Sequence, residues 1–270
     1  MPSTIIRCEA SQLGADLAKK CFERHHRPYK MNQTNALSRA MNIEPGEGWP
    51  LTLLMAHSFF VGIVIVTFFA ASSALFLTEF GSETLPYVYI ASAIISTLTG
   101  SVYSRFEKWL SIRKLLTGTL LFLLLSVTVF RLSLWFTDAY WPAFGLMAWF
   151  TVLNALLSVE FWGLTGRLLD VRQAKRLFGL VASGEMVASV IGGLLTSLFL
   201  RHFATEDLLI ASAIGLVFCM AVLLKIIRQY GNPLPHPVTD VEERRSKFRD
   251  LLKRKYILRI FLLYLLVVIV

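Results

Sequence analysis

Six apolar runs, each close to the length of a membrane-crossing helix, decide what this chain can fold into. They cover residues 49–77, 85–104, 115–136, 141–166, 177–200 and 208–224. A helix rises 1.5 Å per residue and needs ~20 apolar residues to cross the hydrocarbon core. Charges are confined to short stretches between the runs, and composition agrees. The chain is 55% apolar and only 17% charged, with a mean hydropathy of +0.60, where a soluble chain carries about 25% charged residues. That is too little charge to cover a globular surface. Intrinsic disorder, a disulfide scaffold and a soluble enzyme are excluded. The expected fold is all-α, a polytopic membrane helical bundle whose first partner is the lipid bilayer.

The flanking segments divide the chain further. Residues 1–48 are polar and contain no signal-peptide core. Ala10, Leu13, Leu17, Ala18 and Cys21 fall at helical spacing and suggest a short amphipathic helix on the membrane surface. The six-span bundle occupies 49–228. A linker comes next over 229–255, with Pro233, Pro235, Pro237 and a charged run at 242–247. A seventh apolar stretch starts near Tyr256 and is still apolar at Val270, so the chain reads as a fragment that includes the truncated start of a seventh span, 256–270.

Orientation can be read from Lys and Arg. The amino-terminal segment has seven, the loop after span two four, the loop after span four four, and the region after span six ten. Twenty-five of the 27 therefore fall on one side; Arg131 and Arg201 fall on the other. Because basic residues collect on the inner side of a membrane, the amino terminus is expected in the cytoplasm and the protein in the cell's inner (plasma) membrane. The same rule accounts for the net charge of +9 without a nucleic-acid partner. Cys8, Cys21 and Cys219 have no pairing or metal-type spacing. The sequon at 32–34 lies on the cytoplasmic side, out of reach of glycosylation, and His25-His26 beside Cys21 reads as a solvated basic helix end.

Two motifs carry a more specific likeness. Span four ends Phe161-Trp162-Gly163, and twelve residues past Trp162 comes Ala174-Lys175-Arg176-Leu177-Phe178. Earlier, Gly81-Ser82-Glu83-Thr84-Leu85-Pro86 reads as the turn joining spans one and two. These motifs resemble the signatures of the ATP/ADP translocases of plastids and intracellular bacteria and of their wider bacterial relatives. The resemblance covers spans one to five. Six spans, a charged linker and a new span also look like one half of a major-facilitator transporter, each half built from two three-helix repeats. The resemblance implies a secondary transporter working by alternating access. This chain departs from the pattern at Ser72-Ser73, where translocases carry a Lys-Asp pair. It departs again at Ser104, where the general major-facilitator loop has an aspartate beside Gly100, Arg105 and Arg113.

Ionisable residues inside the spans are the candidate functional groups. His57, two turns into span one, reads as a proton-coupling or substrate group, or as a neutral imidazole bonded between helices. Glu160, near the inner end of span four, reads as a carboxylate paired with Arg167 seven residues on, or as part of a gate. Glu185 lies about 12 Å into span five. It shares a stripe with Ser189 and Thr196, beside the small residues Gly184, Ala188 and Gly192; it reads as a structural carboxylate, protonated or paired with Arg105 or Arg176, or as the carboxylate on which transport is expected to depend. Asn154, Ser158 and Thr165 share one face of span four and could line a cavity or simply bond between helices. Arg105, Arg167, Lys175 and Arg176 form a candidate cytoplasmic gate. Arg131 is expected to snorkel to the outer headgroups. No catalytic residues, metal ligands or cofactor motif are expected. The small solute is a nucleotide or a proton-coupled substrate. The deep groups are two acids and a histidine, so efficient ATP/ADP exchange is not expected. The competing class is a non-transporting membrane anchor or sensor fused to soluble regulatory domains.

Overall fold

The computed structural model describes Glu44, residues 47–136 and residues 141–230. The amphipathic segment at 10–21, the His25-His26 neighbourhood, most of the linker and the seventh span lie outside the described residues. Two units are distinguished, Met1–Thr52 and Leu53–Val270. Of the first, the described part is a helix start: the Glu44 N–H donates to the Glu47 carboxylate at 3.0 Å, and Thr52 Oγ1 donates to the Gly48 carbonyl at 2.8 Å. The second unit holds the helical bundle.

Six long helices occur among the described residues, all long and apolar enough to cross a membrane. They are α1 (Gly48–Phe80), α2 (Leu85–Trp109), α3 (Ile112–Phe136), α4 (Trp141–Leu168), α5 (Val171–Phe199) and α6 (Leu208–Tyr230). Several outrun their apolar sequences. α5 starts six residues before Leu177, at a capping box in which the Asp170 N–H donates to Gln173 Oε1 at 3.0 Å. A helix need not stop where hydrocarbon stops, because such caps satisfy its first N–H groups beyond it. Between α1 and α2, Gly81 takes φ 71°, a left-handed conformation open to glycine at no steric cost. A 3₁₀ turn over Ser82–Thr84 comes next, and Pro86 sits in the first turn of α2. The turn motif is where the sequence places it.

α1 and α4 form the axis of the bundle. In each, 44% of the most apolar window is buried, against 11% for α2. They run antiparallel: His57 lies opposite Glu160, Phe68 opposite Phe150 and Phe76 opposite Phe144. α5 runs parallel to α1, with Gly184 against Met55 and Ser58, and Ala188 against Gly62. α6 runs antiparallel to α1, with Phe60 on Phe218, Val64 on Gly215 and Thr67 Oγ1 2.8 Å from Ser212 Oγ.

The remaining principal neighbours are α2 with α4, α3 with α4 and α3 with α6; α2 and α3 touch more lightly. Exchanging α1 with α4, α2 with α5 and α3 with α6 leaves the set of principal pairs unchanged. Because α1 and α4 are antiparallel, that exchange relates two three-helix units of opposite direction.

Candidate functional site

Two helices bring one ionisable pair together. His57 stands nine residues after Gly48, about 14 Å along α1, and Glu160 eight residues before Leu168, about 12 Å along α4. The helices are antiparallel, so both side chains arrive at one depth from the end of the bundle that carries the basic loops. His57 Nε2 and Glu160 Oε2 are 3.0 Å apart, and both side chains have 0% exposure. An isolated charge here would be heavily penalised; the pair is tolerable because each group is the other's partner. The proton between them can sit as imidazolium with carboxylate or as imidazole with carboxylic acid. Either way the hydrogen bond persists.

The pair is nevertheless short of partners. His57 Nδ1, Glu160 Oε1 and the neighbouring Ser58 Oγ are buried without a hydrogen bond. Each such atom costs about 1–3 kcal/mol relative to a satisfied one. Phe161 stacks on the imidazole, with ring centroids 6.0 Å apart and planes 24° from parallel. Next to His57 in the chain, Ser58 packs against α5 at Gly184, where a Cβ would stand 3.0 Å from Ser58 Cβ. Trp162 lies flat on Phe178, centroids 4.5 Å apart and planes 5° from parallel, which ties the end of α4 to the start of α5.

The structure distributes the other candidates differently from the sequence reading. Glu160 bonds to His57 rather than to the expected Arg167, since its second oxygen has no partner. Glu185 is half-buried and has no hydrogen-bond or ion-pair partner among the described residues, Arg105 and Arg176 included. Its backbone, not its carboxylate, makes the close contact, with Gly62. Of its stripe, Ser189 is exposed and donates back to the Glu185 carbonyl, while Thr196 is buried with its hydroxyl unpartnered. Asn154 and Ser158 are half-buried, and Thr165 is buried with Oγ1 unpartnered. Arg105 and Lys175 are exposed at the basic end; Arg167 and Arg176, half-buried there, are both engaged by neighbouring groups. Ser72 Oγ is spent on the Phe69 carbonyl at 3.1 Å, and Ser73 Oγ faces Met147 Sδ at 3.9 Å.

Arg131 is a correction. It does not reach for headgroups alone but forks onto Glu206 at 3.0 Å and Asp207 at 2.9 Å, in the 3₁₀ turn that opens α6. Two acids of the opposite loop lie within reach because α3 and α6 are direct neighbours. Among the described residues no three His, Cys, Asp or Glu side chains gather as metal ligands.

Sequence reasoning singled out His57 and Glu160 separately and missed that they meet. The available signal was their equal distance from the basic ends of spans one and four. Gly62 and Gly215, which admit α5 and α6 against α1, were also missed. No family model, characterised protein or solved structure matches this chain.

Proposed function

We propose that this bundle belongs to a secondary transporter working by alternating access, seated in the inner membrane with its amino terminus inside, and that His57 and Glu160 form its proton-carrying centre. The observation that carries this reading is the fully buried His57–Glu160 bond with unpartnered polar atoms beside it. An inert structural pair would be expected to have its remaining bonds satisfied. Hydration during rocking of the helices would supply partners to Nδ1 and Oε1 and let the pair gain or lose a proton on one side only. The exchange symmetry of the helix neighbours supports the major-facilitator manner, in which each six-helix bundle is a pair of inverted three-helix repeats.

The relation to ATP/ADP translocases rests on Phe161-Trp162-Gly163 and residues 174–178, whose spacing gains a packing reason from the Trp162–Phe178 stack. Charge placement favours a proton-coupled solute over nucleotide exchange. A nucleoside triphosphate brings about four negative charges that must be matched on leaving water. The candidate cations Arg105, Arg167, Lys175 and Arg176 all lie at the basic mouth, while the deeper groups are His57, Glu160 and Glu185.

The test is solute-driven proton movement in proteoliposomes holding a pH-sensitive dye, screened with amino acids, sugars, organic cations and nucleotides. One class should acidify the lumen, and Glu160→Gln should abolish the signal. ATP uptake exchanged for ADP and unaffected by Glu160→Gln would replace proton coupling with nucleotide exchange. Silence with every class favours the anchor or sensor.

A further inference from the structure

A cavity of about 440 Å³ opens between α2, α3 and α4, and neither His57 nor Glu160 is among its lining residues. Its walls are Leu98, Val102 and Phe106 of α2, Leu115 and Phe122 of α3, and Leu156 of α4, and Lys114 stands among the lining residues at its basic end. We propose that this groove binds one acyl chain of an anionic phospholipid, with Lys114 holding the headgroup.

Three observations converge on that occupant. First, the groove runs along α3 from Lys114 to Phe122, eight residues or about 12 Å. That is close to one leaflet, half of the ~30 Å hydrocarbon core. A single lipid entering from the basic side fits this depth. Second, the only charged residue in the lining is Lys114, and it is exposed. Third, the surroundings of the mouth are cationic. Lys108, Arg113 and Lys114 are all exposed, against one half-buried acid, Glu107, so the balance is cationic, and the first turn of α3 holds no acidic residue. Cations beside a helix N-terminus oppose its dipole, whereas a phosphate there satisfies both the dipole and the side chains. A zwitterionic headgroup brings no net charge to this place; phosphatidylglycerol brings one.

Gly118 explains why the space exists and gives the means to close it. It lies in the lining, and a Cβ there would meet nothing within 4 Å. A side chain grown from this position therefore starts in open space and is expected to enter the groove. The proposal does not depend on whether the protein transports.

The experiment uses the purified full chain in a mild detergent, titrated with dioleoyl phosphatidylglycerol or dioleoyl phosphatidylcholine. Retained lipid is counted by native mass spectrometry and the melting temperature is recorded. Wild type should retain phosphatidylglycerol about tenfold more strongly than phosphatidylcholine. Lys114→Gln should bring the two lipids to parity. Gly118→Leu should weaken both at least tenfold while leaving the lipid-free melting temperature unchanged or raised, since leucine also favours helix. Unaltered binding in Gly118→Leu overturns the groove, and an unaltered preference in Lys114→Gln overturns the headgroup assignment. Inorganic phosphate that displaces the bound lipid at millimolar concentration would show a phosphate site with no role for the chain, and equally overturns the proposal.

Discussion

Gly184 lies so close to Met55 that a Cβ on the glycine would stand 2.6 Å from the Met55 carbonyl oxygen. That oxygen is backbone and cannot swing aside, so α1 and α5 approach at a distance only glycine permits. Association of helices in lipid relies on such close packing, because apolar burial against another helix gains little over burial against lipid tails.

Gly184→Ala should therefore lower stability by about 1–3 kcal/mol, the usual range for overpacking. Gly193→Ala, where a Cβ meets nothing within 4 Å, serves as the tolerated control. Thermal unfolding in detergent compares them; identical midpoints for both variants would refute the close contact. Gly192→Leu, whose Cβ would lie 3.3 Å from Ile63 Cδ1, should also reduce folded yield.

The buried pair makes a second prediction. Removing one partner strands the other, and breaking a buried pair typically costs about 3–5 kcal/mol. Glu160→Leu alone should be destabilising on that scale. Combining it with His57→Phe should recover much of the loss, since an apolar pair leaves no stranded charge. A double-mutant cycle measures the coupling. If the double variant is simply the sum of the singles, the pair is not energetically linked. The double variant should fold and still fail the proton-movement assay.

Arg131 should behave differently despite having two acidic partners. Its side chain is 20% exposed and those of Glu206 and Asp207 are 40% and 27%, so water and salt screen the interaction. Arg131→Met, which keeps most of the apolar stem, should cost no more than about 1 kcal/mol, and the cost should shrink with added salt. A salt-independent loss larger than that of Gly184→Ala would contradict this picture of a screened pair.

Orientation is tested by thiol labelling. Ser111→Cys sits in the connection between α2 and α3 at the basic end, and Arg201→Cys in the opposite connection between α5 and α6. A membrane-impermeant maleimide added to intact cells should label position 201 and spare 111. The reverse pattern would invert the bundle.

The six spans were legible because each is a continuous apolar run, and in hydrocarbon a continuous run has one solution: a helix that satisfies its own backbone. The Gly81 turn was legible for a local reason, a glycine and proline punctuating two such runs. The small-residue stripe at Gly184, Ala188 and Gly192 was legible as a helix contact, and all three are buried in α5 against α1. The partners were not legible. Arg131 reads against lipid in the sequence because its acids lie 75 and 76 residues away, and Glu160 reads against Arg167 because Arg167 is near in the chain.

The sequence by itself determined the helices, their number among the described residues and the uneven placement of charge, since all three depend on local composition and periodicity. Only the tertiary structure decided that His57 of α1 meets Glu160 of α4, 103 residues apart. That meeting depends on which helices are neighbours and at what register: glycines let α5 and α6 approach α1, while aromatic side chains such as Phe68 with Phe150 and Phe76 with Phe144 meet between α1 and α4. A run of apolar side chains shows that a helix will be buried in lipid; it does not encode which other helix it will touch.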